Sequence, residues 1–225
     1  MKIKNLSKKF NDQLIFQNIN IDFEKGKIYS IFGKNGIGKT TLLNILNGNL
    51  DFDEGNITNN DETIFIADND IPFEFMTAND FIEETFKFKN YKYSQEEKEQ
   101  LFVQLDFHTE DKIIKDFSKG MKSKLYLIIA FLSNPKILLL DEPFVDIDII
   151  SFQNITQILK DKSSKMTIIF STHIAKIAYE LADEIIYLQT NQATKILNNF
   201  KNSEELEKNI LNNLSIDTTR NSIEN

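Results

Sequence analysis

The chain has 225 residues, enough for one large α/β domain with a subdomain but cramped for two full cores. Its 34 acidic side chains outnumber the 26 basic ones, giving a formal charge of −8 and a pI of about 4.9, so the bulk field repels phosphate backbones and nucleic acid is not expected as a partner. Cysteine is absent, which excludes disulfides and thiolate metal sites; two histidines are too few for a metal cage; and with Arg220 as the single arginine, a phosphate site in the folded body must be built from lysines and backbone N–H groups.

Lys2, Lys4, Lys8 and Lys9 are followed by no apolar stretch of secretory-leader type, and the longest apolar run, 125–132, is far short of a membrane span, so a cytoplasmic location is expected. Strands are predicted over 3–10, 14–23 and 27–32, punctuated by Asn11-Asp12 and Gly26. A glycine-rich loop follows, and a helix opens at Thr41 and stops at Asn47-Gly48. Short strands are expected over 55–58 and 63–67. From 77 to 133 the pattern is helical, with capping-box starts at Thr77/Asp80 and Ser94/Glu97. Buried strands return at 137–140, 167–170 and 184–188, separated by helical stretches 148–161 and 173–182, an alternation that implies a parallel sheet covered by helices on both faces. A last helix over 203–213 and a polar tail over 214–225 complete the chain. The expected organisation is an α/β core with a β subdomain over 1–76 and 136–200, a helical insertion over 77–135, and a C-terminal helix and tail over 201–225.

Gly33-Lys34-Asn35-Gly36-Ile37-Gly38-Lys39-Thr40 fits G-x-x-x-x-G-K-[ST] and lies between a predicted buried strand and a helix. Glycines let successive N–H groups converge on a phosphate, the helix N-terminus adds partial positive charge, Lys39 reaches the β/γ oxygens, and Thr40 offers a hydroxyl to Mg²⁺, with Thr41 next in line. Downstream, Ile137 to Leu140 is apolar at every position and ends in Asp141-Glu142, at the strand end where parallel sheets place ligands. Asp141 is the candidate to hold Mg²⁺ through water, and Glu142 to orient and partly deprotonate an attacking water.

Between these elements lies Phe117-Ser118-Lys119-Gly120-Met121-Lys122. Phosphate loop, helical insertion, this hexapeptide, the Asp-Glu strand and a lone His173 occur in the order that resembles the ATP-binding cassette (ABC) ATPases, over roughly residues 1–190. The resemblance implies the α/β phosphate-loop NTPase core of that family with an N-terminal antiparallel β subdomain and an inserted α-helical subdomain, ATP with Mg²⁺ as ligands, and a head-to-tail homodimer or heterodimer in which Ser118, Lys119, Gly120 and Met121 close over the partner's ATP. It further implies a switch role for His173 toward the γ-phosphate, and a cross-dimer role for Asp148, which equally reads as the N-cap of a helix over 149–161. Phe10 falls where the family stacks an aromatic on adenine, or else is plain strand core. His108 has no such context and is expected in solvent.

Several positions depart from the family pattern. Lys119, Gly120 and Met121 stand where two glycines and a glutamine are usual, a form that resembles exporter-type ATPases. No glutamine follows strand 63–67; Asp68 is the best match for that Mg²⁺-touching position. Phe144 and Asp146 replace smaller residues. The function implied is an ATP-hydrolysing subunit on the cytoplasmic face that drives a separate membrane permease, with a soluble ABC ATPase for a cytosolic complex, or a weakly hydrolysing binding module, as the alternatives.

Overall fold

The computed structural model describes residues 1–11, 13–67, 73–109, 112–145 and 147–210. Along the chain the elements are β1 (Lys2–Phe10), β2 (Gln13–Asp22), β3 (Ile28–Phe32), α1 (Lys39–Leu46), β4 (Glu54–Thr58), β5 (Thr63–Ile66), α2 (Ala78–Lys89), α3 (Gln95–Gln104), α4 (Lys119–Ser133), β6 (Ile137–Leu140), α5 (Ile149–Ser163), β7 (Thr167–Thr172), α6 (Ala175–Leu181), β8 (Glu184–Gln189) and β9 (Gln192–Leu197). Residues 203–210 form a further helix. A three-stranded antiparallel sheet runs β2-β1-β4, and a six-stranded sheet runs β5-β6-β7-β3-β8-β9. The first five strands of the larger sheet are parallel; β9 is antiparallel to β8.

The parallel strands form where apolar runs demand cover on both sides. In β6 every residue is buried, and alternation sends Leu138 and Leu140 to one face and Ile137 and Leu139 to the other. One face packs on α2 to α6; the opposite face packs on α1 and the three-stranded sheet, through Leu42, Leu43, Phe16 and Ile19. The α/β architecture with an antiparallel subdomain is therefore the observed one.

Local signals explain most boundaries. Thr77 opens α2 with both halves of a capping box, its hydroxyl accepting from the Asp80 N–H. The Ser94 cap of α3 is one-sided: its hydroxyl accepts the Glu97 N–H, while the Glu97 carboxylate pairs with Lys162 at 3.0 Å. Three further expectations need correction. Strand β9 lies where no element is expected, since Gln192, Thr194 and Lys195 give it no apolar run; it is a polar edge strand joined to β8 by a two-residue turn, with Asn191 at φ +65°, and fastened by the Lys195–Glu184 ion pair. Helix α1 begins at Lys39 rather than Thr41. Strand β7 runs on to Thr172 instead of stopping at 170, because Ser171 and Thr172 pair with Ile31 and Phe32, and α6 starts correspondingly later, leaving His173 in the connecting loop.

Candidate active site

The sheet order sets the site. With β6, β7 and β3 adjacent and parallel, the residues at and just beyond their carboxyl ends are brought to one edge: Asp141 and Glu142, then Ser171 to His173, then the loop 33–38. That loop is shaped by two glycines. A Cβ at Gly33 would lie 2.7 Å from the Leu188 carbonyl oxygen, and Gly38 adopts φ +110° with a Cβ position 2.5 Å from Ile15 Cγ2. Gly38 is the N-cap of α1 and supplies no side-chain acceptor, so the first-turn N–H groups and the positive end of the helix macrodipole face the loop. Lys34, Asn35 and Gly36 are exposed, while Ile37 and Thr41 are half-buried.

Lys39 is buried, yet its ammonium is well surrounded: Nζ donates to the Gly33 carbonyl at 3.0 Å and the Lys34 carbonyl at 3.3 Å, and lies 3.2 Å from Glu142 Oε1. Glu142 also meets His173, whose Nδ1 is 3.2 and 3.3 Å from its two carboxylate oxygens. The Glu142 backbone sits at φ +46°, a left-handed conformation that a non-glycine residue adopts at a cost of about 1–2 kcal/mol. Ser171 holds it there. The Ser171 hydroxyl, fully buried, accepts the Glu142 N–H at 2.8 Å and donates to Asp141 Oδ1 at 2.5 Å. The other carboxylate oxygen of Asp141 accepts from the Thr40 hydroxyl at 2.7 Å.

Thr40 and Asp141 present hard oxygen donors next to the phosphate loop. Such a set suits Mg²⁺, which takes one or two protein oxygens and completes its shell with phosphate oxygens and waters. Among the described residues no group of three or more His, Cys, Asp or Glu side chains could hold a metal by itself.

The structure thus gathers Lys39, Thr40, Asp141, Glu142 and His173 at the phosphate loop, together with Ser171, which sequence reasoning missed. The available signal was a polar Ser-Thr-His run at the end of an otherwise apolar buried strand. Other sequence candidates lie elsewhere. Ser118 is the N-cap of α4, its hydroxyl accepting the Met121 N–H, with Lys119, Gly120 and Met121 in the first turn. Among the described residues, none of the hydrogen bonds of Ser118, Gly120 or Met121 reaches the phosphate loop of the same chain. Asp148 caps α5, accepting from the Ser151 N–H and hydroxyl at 2.9 and 2.5 Å, and these bonds hold its carboxyl below the usual carboxylate range. Phe10 is 42% exposed, so the plain-core alternative does not hold. His108 is exposed and bonded to Asp106. Asp68 and Asp146 lie outside the described residues.

A glycine loop feeding an uncapped helix, facing an Asp-Glu pair at the end of a parallel strand two places away in the sheet, defines an α/β nucleoside-triphosphate-handling domain of the phosphate-loop class. The family profile described as ABC transporter matches residues 16–145. A lantibiotic transport ATP-binding protein, SrtF, of Streptococcus pyogenes is 31% identical over 92% of this chain and 94% of its own length. An ABC transporter ATP-binding protein of Methanocaldococcus jannaschii is 28% identical over 86% of this chain and 75% of its own. Among solved structures, the ATP-binding subunit of an ABC transporter superposes with a TM-score of 0.77 at 23% identity, covering 87% of this chain and 89% of that one. An ATP-binding cassette solved as a dimer in a post-hydrolysis state with ADP and Pi has a TM-score of 0.74 at 24% identity, covering 88% and 99%. The chain belongs to the ABC transporter family, and it is an ATPase of that family. No helix among the described residues is long and apolar enough to cross a membrane.

Proposed function

We propose that the chain is the ATP-binding and ATP-hydrolysing subunit of an exporter-type ABC transporter, working as an ATP-bridged dimer that drives a separate membrane permease from the cytoplasmic face. The observation that carries the reading is the convergence on the phosphate loop of Lys39, Thr40, Asp141, Glu142 and His173, each within hydrogen-bond or ion-pair reach of another. In this reading residues 33–41 cradle the phosphates, with Lys39 exchanging its contact to Glu142 for the β/γ oxygens. Glu142 then orients and partly deprotonates the attacking water, steadied by His173 on one side and by Ser171 through its backbone. Thr40 and Asp141 would hold Mg²⁺, which would supply positive charge against the transferred phosphoryl group. Asp68 is proposed to assist there.

The dimer follows from where Ser118 to Met121 stand. They form a helix N-terminus suited to an anion, and in the family this chain resembles that turn closes on the ATP of a second copy or a close relative. Asp148, at the head of α5, is proposed to face the partner. The 77–135 segment is the proposed signature-bearing subdomain, and docking of the permease between it and the core would convert closure into movement. The export direction is supported by the Ser-Lys-Gly-Met form, and a transport role by the similarity to a lantibiotic transport ATP-binding protein.

The test is Glu142→Gln. Loss of a general base lowers turnover by about 10² to 10⁴-fold. The variant is expected to keep its ATP affinity, to run as an ATP-dependent dimer in gel filtration, and to release almost no phosphate. Wild-type turnover would refute the assignment of Glu142. Affinity capture of the native complex that recovers a multi-span membrane protein supports the permease; recovery of soluble components alone refutes it.

A further inference from the structure

We propose that Lys8 is a positioning residue for the nucleobase, backing one face of the Phe10 ring so that the opposite face is held ready for stacking. The proposal rests on the reading of the phosphate loop as an ATP site. Its geometric basis is the register of the β1–β2 hairpin against that loop. The Cβ position of Gly38 lies 2.5 Å from Ile15 Cγ2 and 3.8 Å from the Phe16 ring, so β2 lies directly on the end of the phosphate loop. Phe16 is paired with Lys8 across the hairpin, and Gln13 with Phe10. Residues opposite each other in an antiparallel pair share a face, as do residues two apart on one strand. Lys8 therefore projects on the side of the sheet that meets the loop, and the Phe10 ring, in contact with Lys8 Nζ, lies beside it.

The two side chains differ from their usual habit in opposite senses. Lys8 is only 8% exposed, whereas Phe10, an aromatic that ordinarily seeks a core, is 42% exposed. They touch: Lys8 Nζ stands 5.0 Å from the centre of the Phe10 ring. One face of the ring is thus covered by the ammonium, and open surface remains for a flat ligand. The intervening backbone is pinned as well. The register shifts on either side of Lys8, between Leu6 and Lys8 and between Lys8 and Lys9, and the Lys9 N–H donates to Asp53 Oδ2 at 2.6 Å. Bulges of this kind re-aim side chains beside functional sites. A ring held by a cation on one face loses less freedom when a base stacks on the other, so the cation strengthens stacking without touching the nucleotide.

The experiment compares ATP with inorganic tripolyphosphate, which carries the phosphates and no base, by calorimetry on wild type and variants whose melting curves show that they fold. Lys8→Met keeps the aliphatic stem and removes the cation. It is expected to raise the Kd for ATP by about 3- to 10-fold, the range of a partly desolvated cation–π contact, with the Kd for tripolyphosphate unchanged. Lys8→Arg should restore ATP binding. Phe10→Ala should raise the ATP Kd by about 5- to 100-fold, and in that background Lys8→Met should have no further effect. In steady state the Lys8→Met effect falls on KM rather than on kcat. If Phe10→Ala weakens ATP but Lys8→Met does not, the assignment of Lys8 is overturned while the ATP site stands. If Lys8→Met weakens both ligands equally, Lys8 acts on the phosphates and the positioning role is wrong. Wild-type protein that binds neither ligand would overturn both the ATP-site reading and the proposal built on it.

Discussion

Two fully buried serines on adjacent strands set up a comparison in which the same deletion should have different results. Ser171 on β7 and Ser30 on β3 each have no exposed surface. The Ser171 hydroxyl accepts the Glu142 N–H at 2.8 Å and donates to Asp141 Oδ1 at 2.5 Å, whereas the Ser30 hydroxyl has no partner among the described residues. Ser171→Ala strips a donor from a carboxylate and leaves a peptide N–H unpaired at a residue held at φ +46°. Removing one partner of such bonds costs about 1–3 kcal/mol, so a loss near 2 kcal/mol is expected. For a chain of this size that corresponds to a drop of roughly 4–8 °C in Tm. Ser30→Ala removes a hydroxyl that is already desolvated without compensation, and is expected to be neutral or to stabilise by up to about 1 kcal/mol. Differential scanning calorimetry of both variants reads the difference. Turnover adds a second readout: with Glu142 and Asp141 released from a common anchor, Ser171→Ala should lower kcat by at least about 10-fold, because displacements near 1 Å at reacting groups have effects up to 10²-fold. Equal melting temperatures for the two variants, or wild-type turnover in Ser171→Ala, would refute the assignment of Ser171 as the brace of the Asp-Glu pair.

Further expectations follow from the same geometry. Gly33→Ala places a methyl 2.7 Å from the Leu188 carbonyl oxygen, so β8 must move, whereas Gly48→Ala at φ +76° meets nothing within 4 Å and costs only backbone strain of about 1–2 kcal/mol. Thermal melting should rank Gly33→Ala clearly below Gly48→Ala, and the reverse order would contradict the packing of the loop on β8. Asp148 has a carboxyl held below its ordinary value by its two bonds from Ser151. A depressed folded pKa contributes stability that is fully present above the unfolded value, near pH 4, and is lost as pH falls through the lower folded value. The stability difference between wild type and Asp148→Asn, followed by urea midpoints from pH 7 downward, should therefore shrink only below about pH 4. A difference that is flat through that range would remove the cap from the account.

What the linear order of residues determined was local chemistry and periodicity. The glycines before Lys39 and Thr40, the uninterrupted apolar run of β6 and the Thr77 capping box are each readable because the physics acts over a few neighbouring residues. The α/β class followed from the same signals, and the antiparallel subdomain from the family resemblance. Tertiary structure decided what depends on contacts between segments far apart in the chain. Ser171 lies 30 residues from the Asp141 it braces, and the two meet only because β6 and β7 are neighbours in the sheet. Strand β9 is polar and becomes a strand by pairing with β8, not by propensity. Phe10 has the composition of a core residue and the environment of a surface one, a distinction made by the hairpin register over the phosphate loop and invisible in one dimension.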